Sequence, residues 1–341
     1  MSGKFTIKDI KERRAVTLAV VEPMLRGIRD RKVESTYKRL EPDSEGRIHT
    51  VLSPDTASFR MSSGESLLWD ASTNLQNIEK KVAKLSAEYR VRDIFIADPG
   101  YELVAVDLAG AEAVLCGAYS DDWTYVEKLL AGADTHSELA CAMFNVAECT
   151  ALQRDIAKTI RYASQYAAKV ATITINLNRE ADTTGIYFTQ DQVTFFHRTL
   201  LQKHPLELWW ANTKRELDTQ HGVLYNCFGY KRTFHEPDPD ERLKQGLSFL
   251  PQSTVAWLMN LAVPPVYTHL QGLQRVTSLL LQIHDELLFQ CKPEAIPDLT
   301  RFVTPYLTRP FKIKGRELHI PVEWKRGNSW GTMKAFNHKE L

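Results

Sequence analysis

The sequence predicts an α+β fold: a sheet platform carrying a helical lobe. Three observations lead there. Apolar, strand-like runs at 103–106 and 277–291 lie far apart in the chain. Between them, from Ala111 to about Leu217, apolar residues recur mostly at helical spacing. A last strand-like run, LHIPVEWKRGNSW, follows near the end. Strands that flank a long helical insertion pack as a sheet with its helices segregated from it.

In order along the chain, residues 7 to about 40 carry apolar positions at helical spacing among charges, with a break at Pro23. Turn chemistry follows at Pro42–Gly46, then short strands. STNLQNIEKK is polar and loop-like. The strand Leu103 to Val106 ends at Asp107. VLYNCFGYKRTF predicts a hairpin with Gly229 in its turn. Residues 241–274 predict a helix with a kink at Pro264–Pro265. TSLLLQIHDELLFQCK predicts two apolar strands interrupted by His284, Asp285 and Glu286. PEAIPDLTRFVTPYL predicts a helix before the last strand.

The 341 residues are 43% hydrophobic and 25% charged, ample for a large core with more than one lobe. Lys and Arg number 43 against 42 Asp and Glu, a net charge of +1. Such a balance leaves a nucleic-acid partner open, because binding needs a local basic track rather than a basic whole. The five cysteines form no C-x-x-C pair, which predicts reduced thiols in a cytoplasmic protein and no zinc site. The charged N-terminus lacks an apolar core, and no apolar run approaches membrane-spanning length. No internal repeat or low-complexity tract is present.

Arg154, Lys158, Tyr162 and Tyr166 recur in steps of four. On a helix they form one stripe, each step rising about 6 Å and the whole spanning about 18 Å. Two cations suit a triphosphate, and two rings suit a sugar and base. A solvated face followed by partly buried tyrosines is the other reading of the stripe alone.

Asp107 and Asp285 each place an acid at the rim of apolar strands, where an isolated charge is costly unless paired or bound to metal. Two such carboxylates suit two divalent ions, Mg²⁺ being the natural choice. Asp107 alone is equally a turn former or helix cap. Three consecutive polar residues inside the apolar QIHDELLFQ hairpin indicate a functional turn.

With these residues in place, the chain resembles the polymerase portion of a family A DNA polymerase, the bacterial DNA polymerase I type, in its phage-like branch. DLAGAEAV is similar to the family's D-Y-S-Q-I-E-L-R, with Asp107 and Glu112 in place. Arg154, Lys158, Tyr162 and Tyr166 match R-x-x-x-K-x-x-x-[FY]-x-x-x-Y-G. Ile283, His284, Asp285 and Glu286 match [VI]-H-D-E. The segments GRIHTVLSPDTASFRMSS, NLQNI and ADTHSELA also match, and the separation 285 − 107 = 178 is like the family's. The likeness covers roughly residues 30–335.

The resemblance implies a right-hand polymerase palm of antiparallel sheet with a large helical fingers insertion. It implies a helical segment at 1–45 (thumb remnant or palm support) and palm with the first motif at 46–120. Fingers would follow at 121–235 and the rest of the palm at 236–341. Asp107 and Asp285 would hold two Mg²⁺, with Mn²⁺ able to substitute, and Glu286 would support them. Glu112 resembles the gate that crowds a ribose 2′-hydroxyl. His136, Arg154 and Lys158 would contact the triphosphate, Lys158 also acting as general acid. Tyr162 would stack on the incoming nucleotide; Tyr here resembles phage and mitochondrial forms and implies weak discrimination against dideoxynucleotides. Tyr166 would meet the template base. Arg60, Gln252, Gln282 and His284 would hold primer–template, and Asn74, Gln76 and Asn77 would touch the DNA backbone. Singly, Arg60 is equally a surface cation, Gln252 a helix-face amide and His136 a capped-turn histidine.

Several positions depart from the pattern. Leu108, Ala109, Gly110 and Ala111 replace Tyr-Ser-Gln-Ile, and Val114 replaces Arg. Ala167 replaces Gly, and Ser248 stands where relatives often carry Asn. Only about 40 residues precede GRIHT, too few for a thumb and a 3′–5′ exonuclease. The expectation is therefore template-directed DNA synthesis from deoxynucleoside triphosphates on primer–template, without proofreading. The chain would be a minimal polymerase or one subunit of a split phage enzyme in the host cytoplasm. In the split case a second polypeptide carries thumb and exonuclease. A non-catalytic replisome component and a single-subunit RNA polymerase are the alternatives.

Overall fold

The computed structural model describes residues 42–65, 72–78, 91–179 and 186–341. The helices expected over residues 7 to about 40 lie outside them. The described residues fall into two compact units. One takes in residues 42–53, 62–65 and 72–77; the other takes in 54–61, 78 and the chain from 91 onward.

In the smaller unit, the Asp43 carboxylate accepts from the amides of Glu45 and Arg47, each at 2.9 Å, and Gly46 takes φ +77°. This is the turn expected at Pro42–Gly46. Strands β1 (Val51–Ser53) and β2 (Ser62–Gly64) pair antiparallel. The Ser63 hydroxyl accepts from the Leu75 amide at 2.8 Å, seating one 3₁₀ turn, Leu75–Asn77, in the segment expected to be a loop.

The larger unit is built on a five-stranded antiparallel sheet in which the strand Glu102–Leu108 lies at the centre, Val322–Gly327 and then Lys334–Phe336 on one side, Glu286–Cys291 and then Thr277–Ile283 on the other. Its strands are β3 (Glu102–Leu108), β6 (Thr277–Ile283), β7 (Glu286–Cys291), β10 (Val322–Gly327) and β11 (Lys334–Phe336). Register sorts the side chains. Val106 pairs with Leu287 and Trp324, and Val104 with Phe289, so these five share one apolar face. All are at most 1% exposed. The helix Ile296–Leu307 covers that face, its Thr304 hydroxyl accepting from the Trp324 indole N–H at 3.2 Å.

Between β3 and β6 lies the helical insertion. Among the described residues it comprises α1 (Ala111–Tyr119), α2 (Trp123–Leu130), α3 (Thr135–Phe144), α4 (Ala151–Gln165), α5 (Val170–Asn178), α6 (Gln190–Lys203) and α7 (Leu206–Thr219). Capping boxes start α4 at Thr150/Gln153 and α6 at Thr189/Gln192, satisfying amides that the first turn leaves without partners. The hairpin β4 (Val223–Tyr225) and β5 (Lys231–Thr233) turns through Gly229 at φ +81°, as expected.

The next helix, α8, runs Pro239–Leu270. Pro264 and Pro265 do not end it. Each interior proline costs about 3 kcal/mol. Burial of Leu258, Met259, Ala262, Val266 and Leu270, all at most 5% exposed, offsets that cost. The helix Ile296–Leu307 is α9. Strands β8 (Phe311–Ile313) and β9 (Arg316–Leu318) form a small hairpin after it.

Three strand limits differ from expectation. β3 continues one residue past Asp107 because the Leu108 amide still finds a carbonyl, that of Asp285, at 3.1 Å. Glu286 belongs to β7 rather than to the interruption, since its backbone pairs with Asp107 and Ile283. The last strand among the described residues is the three-residue β11, which pairs with β10.

Candidate active site

Asp107 points from the sheet face opposite Val104 and Val106, because side chains alternate along β3. In register it lies between Glu286 on β7 and Glu323 on β10, so three carboxylates form one row across three strands. Like charges directly opposed destabilise a sheet. Two cations moderate this row. The Arg92 guanidinium lies 4.0 Å from the Glu286 carboxylate, both buried. Arg92 is fixed by a hydrogen bond to the Ile78 carbonyl at 3.0 Å and by the Trp330 ring 3.9 Å away. Lys325 Nζ lies 2.7 Å from Glu323 and 4.0 Å from Asp107. Burial works against the Lys325 ammonium, but the hydrogen bond to Glu323 and the charges of Glu323, Asp107 and Glu286 outweigh it and raise its pKa.

Asp285 joins the row from the β6–β7 turn. Ile283 pairs with Glu286, which leaves His284 and Asp285 as a two-residue loop. His284 takes φ +55°, a region that costs a non-glycine residue about 1–2 kcal/mol. Such strain gathers at functional sites. The bond from Leu108 to the Asp285 carbonyl brings the two motifs side by side. Asp107 and Asp285 are partly exposed, whereas Gln282 and Glu286 are buried. Among the described residues no group of three or more His, Cys, Asp or Glu converges as a metal cage.

The four-step stripe lies on α4. Its buried side is Ile156, Ala157, Ile160, Arg161 and Ser164, so the stripe is not the helix's core face. Lys158 is exposed, and Arg154, Tyr162 and Tyr166 are half-buried. Asp134, the N-cap of α3, holds Arg154 at 2.8 Å, and the Asp134 pKa is lowered chiefly by that bond. The His136 ring sits 5.8 Å from the Tyr162 ring, and its buried Nδ1 has no hydrogen-bond partner. Burial, then the charges of Arg161, Arg154 and Lys158, pushes the His136 pKa down to about 4. Tyr166 caps α4 and donates its hydroxyl to Glu112, in the first turn of α1. Burial first, then Cys116 and Glu112, raises the Tyr166 pKa. The residue after it, Ala167, takes φ +53° where the family pattern has glycine.

The remaining predicted residues are placed elsewhere. Arg60 lies in the loop 54–61, its buried Nε without a hydrogen-bond partner, next to Phe59. Phe59 packs edge-on to Tyr230, and its carbonyl accepts from Asn260 at 3.0 Å. Gln252 is half-buried on α8. Asn74, Gln76 and Asn77 belong to the smaller unit, where the Asn74 side chain accepts from the amides of Gln76 at 3.1 Å and Asn77 at 3.2 Å. Sequence reasoning missed Glu323, Lys325 and Arg92. The alternation in VEWKRG, with Trp324 facing the core, held the signal for the first two.

The larger unit thus joins an antiparallel sheet that carries Asp107 to a helical insertion whose α4 bears exposed Lys158 and half-buried Arg154, Tyr162 and Tyr166. Residues 13–332 match the family model for DNA polymerase family A, and the chain belongs to that family. It is 28% identical over 326 residues to the thermostable DNA polymerase I of Thermus aquaticus, covering 91% of this chain and 36% of that protein. It is 27% identical to the DNA polymerase I of Chloroflexus aurantiacus, covering 89% of this chain and 31% of that protein. The chain thus spans about a third of the length of these curated relatives. Its fold is similar to the POL domain of Pol1 from M. smegmatis, solved with DNA primer-template and dNTP. There the TM-score is 0.73 at 20% identity, over 95% of this chain and 56% of that one.

Proposed function

We propose that this chain is a template-directed DNA polymerase that adds deoxynucleotides to a primer 3′ end. The observation that carries the reading is the Leu108–Asp285 backbone bond, which sets Asp107 beside Asp285 at the rim of the sheet. On this reading both carboxylates hold divalent cations, Mg²⁺ with Mn²⁺ able to substitute, and Glu286 backs them. Bound there, such ions make the primer hydroxyl a better nucleophile and offset charge on the leaving pyrophosphate.

The chain's own residues do the rest. Arg154, Lys158 and His136 receive the triphosphate, and exposed Lys158 supplies a proton to the pyrophosphate oxygen as it leaves. Tyr162 stacks on the nucleotide, which implies weak rejection of dideoxynucleotides, as in phage and mitochondrial forms. Glu112, oriented by Tyr166, crowds a 2′-hydroxyl. Arg60, Gln252, Gln282, His284, Asn74, Gln76 and Asn77 hold primer–template, largely through its backbone. Residues 46–120 and 236–341 act as palm and 121–235 as fingers.

Primer extension with Mg²⁺ and four deoxynucleotides tests this, with the chain alone and with a second polypeptide carrying thumb and exonuclease. Extension in either condition that Asp285→Asn abolishes is the expected result. No extension in both, or equal extension by the variant, would overturn the reading. Extension only with the second polypeptide supports a split enzyme. Removal of a mismatched primer end by the chain alone would overturn the proposed lack of proofreading.

A further inference from the structure

The row Glu323–Asp107–Glu286 sets three carboxylates side by side with the Asp285 turn next to it, and two cations face the row. Those cations are not equivalent. Arg92 is buried, stacked on Trp330 and bonded to the Ile78 carbonyl, so it is a fixed charge. Lys325 stands on β10 with about a quarter of its side chain exposed, and its ammonium lies between two acids. Glu323 is two residues away on the same strand and shares its face, while Asp107 is reached across the ladder. A lysine is suited to such a place, being a compact charge on a flexible stem with no preferred planar partner.

We propose that Lys325 is a built-in competitor for the metal site. Held 2.7 Å from Glu323 and 4.0 Å from Asp107, its ammonium offsets the Asp107 charge and so competes with an arriving divalent cation for it. This rests on the reading of Asp107 as a metal-binding residue. Glu323 is then a positioning residue: it draws the ammonium away from Asp107 and so favours the metal. Without Glu323, Lys325 has only the Asp107 side of the row to lean on. The two residues therefore act on metal affinity with opposite signs. A purely structural ion pair predicts equal effects on stability and none on affinity.

The test is Mn²⁺ uptake by the full chain without DNA or nucleotide, followed by the paramagnetic resonance signal of free Mn²⁺. Asp107→Asn marks the site: it should remove the tightest uptake. Lys325→Met should tighten uptake by about tenfold, the scale of one charge acting on a divalent ion several ångströms away in partly screened surroundings. Glu323→Gln should weaken it by about threefold, and that effect should largely vanish in the Lys325→Met background, a coupling that independent charges would not show. Lys325→Arg should return affinity toward the parent, and cooperative melting of each variant shows that it is folded. Unchanged or weaker uptake by Lys325→Met, with Asp107→Asn still abolishing the site, overturns the inference and leaves the metal reading standing. Uptake that survives Asp107→Asn overturns both.

Discussion

Tyr166 donates its hydroxyl to Glu112, tying the end of the stripe helix to the helix that follows the Asp107 strand. Without that bond, Glu112 is free to swing from the position in which it is proposed to crowd a 2′-hydroxyl. Tyr166→Phe should therefore relax sugar selectivity, raising ribonucleotide use relative to deoxynucleotide use by about tenfold, the equivalent of 1.4 kcal/mol. Competing single-turnover incorporations measure the ratio. An unchanged ratio would show that Glu112 is held by its helix alone.

Ala167 follows directly, at φ +53°. A left-handed alanine costs about 1–2 kcal/mol that glycine does not. Ala167→Gly should raise the urea midpoint and stabilise the chain by about 1 kcal/mol, less what glycine adds to unfolded-state entropy. A loss of stability would mean that the methyl group contributes packing worth more than the strain.

Acid should weaken the fold through His136. Its folded pKa is pushed down to about 4 from a usual 6.5, so the unfolded chain takes up the proton first. The stability it contributes is complete above pH 6.5 and is lost as pH falls toward about 4. His136→Gln should flatten the dependence of melting temperature on pH across that window. On the proposed function, added deoxynucleoside triphosphate should move the His136 titration upward in an imidazole-resolved NMR experiment, because its phosphates offset Arg154, Lys158 and Arg161.

A second histidine holds the insertion together. His204, which ends α6, bonds through Nδ1 to the Asp122 carboxylate and through Nε2 to Arg161 of α4. Since Arg161 only donates, Nε2 accepts and Nδ1 carries the proton. Arg161 is 1% exposed and lies 3.9 Å from the Tyr125 ring. Removing the mediator leaves a buried guanidinium and carboxylate poorly paired. His204→Ala should cost about 3 kcal/mol by urea unfolding. A cost below about 1 kcal/mol, the level of an exposed pair, would show that Asp122 and Arg161 re-pair directly.

Much of the candidate site's local layout is legible in the sequence because its signals are local. Steps of four put Arg154 to Tyr166 on one helix face, and polar residues inside an apolar hairpin marked His284 and Asp285. What was not legible depends on pairing between distant strands. Nothing in the chain before β10 says that Glu323 will face Asp107, because register between positions 216 apart (323 − 107 = 216) is a property of the assembled sheet. The Asp122–His204–Arg161 cluster is hidden for the same reason, its members lying on three helices. Ala167 departs visibly from the family pattern in the sequence, but its positive φ comes from the way α4 ends.

On the proposed function, the row of acids also makes folding itself responsive to ions. Neighbouring carboxylates store repulsion that the apolar face beneath must outweigh, and any cation preferring the folded arrangement adds its binding energy to the fold by mass action. At a hundredfold excess over its dissociation constant, that is about 2.7 kcal/mol. On that reading the melting temperature of the chain is a thermometer for site occupancy, readable without substrate, template or turnover.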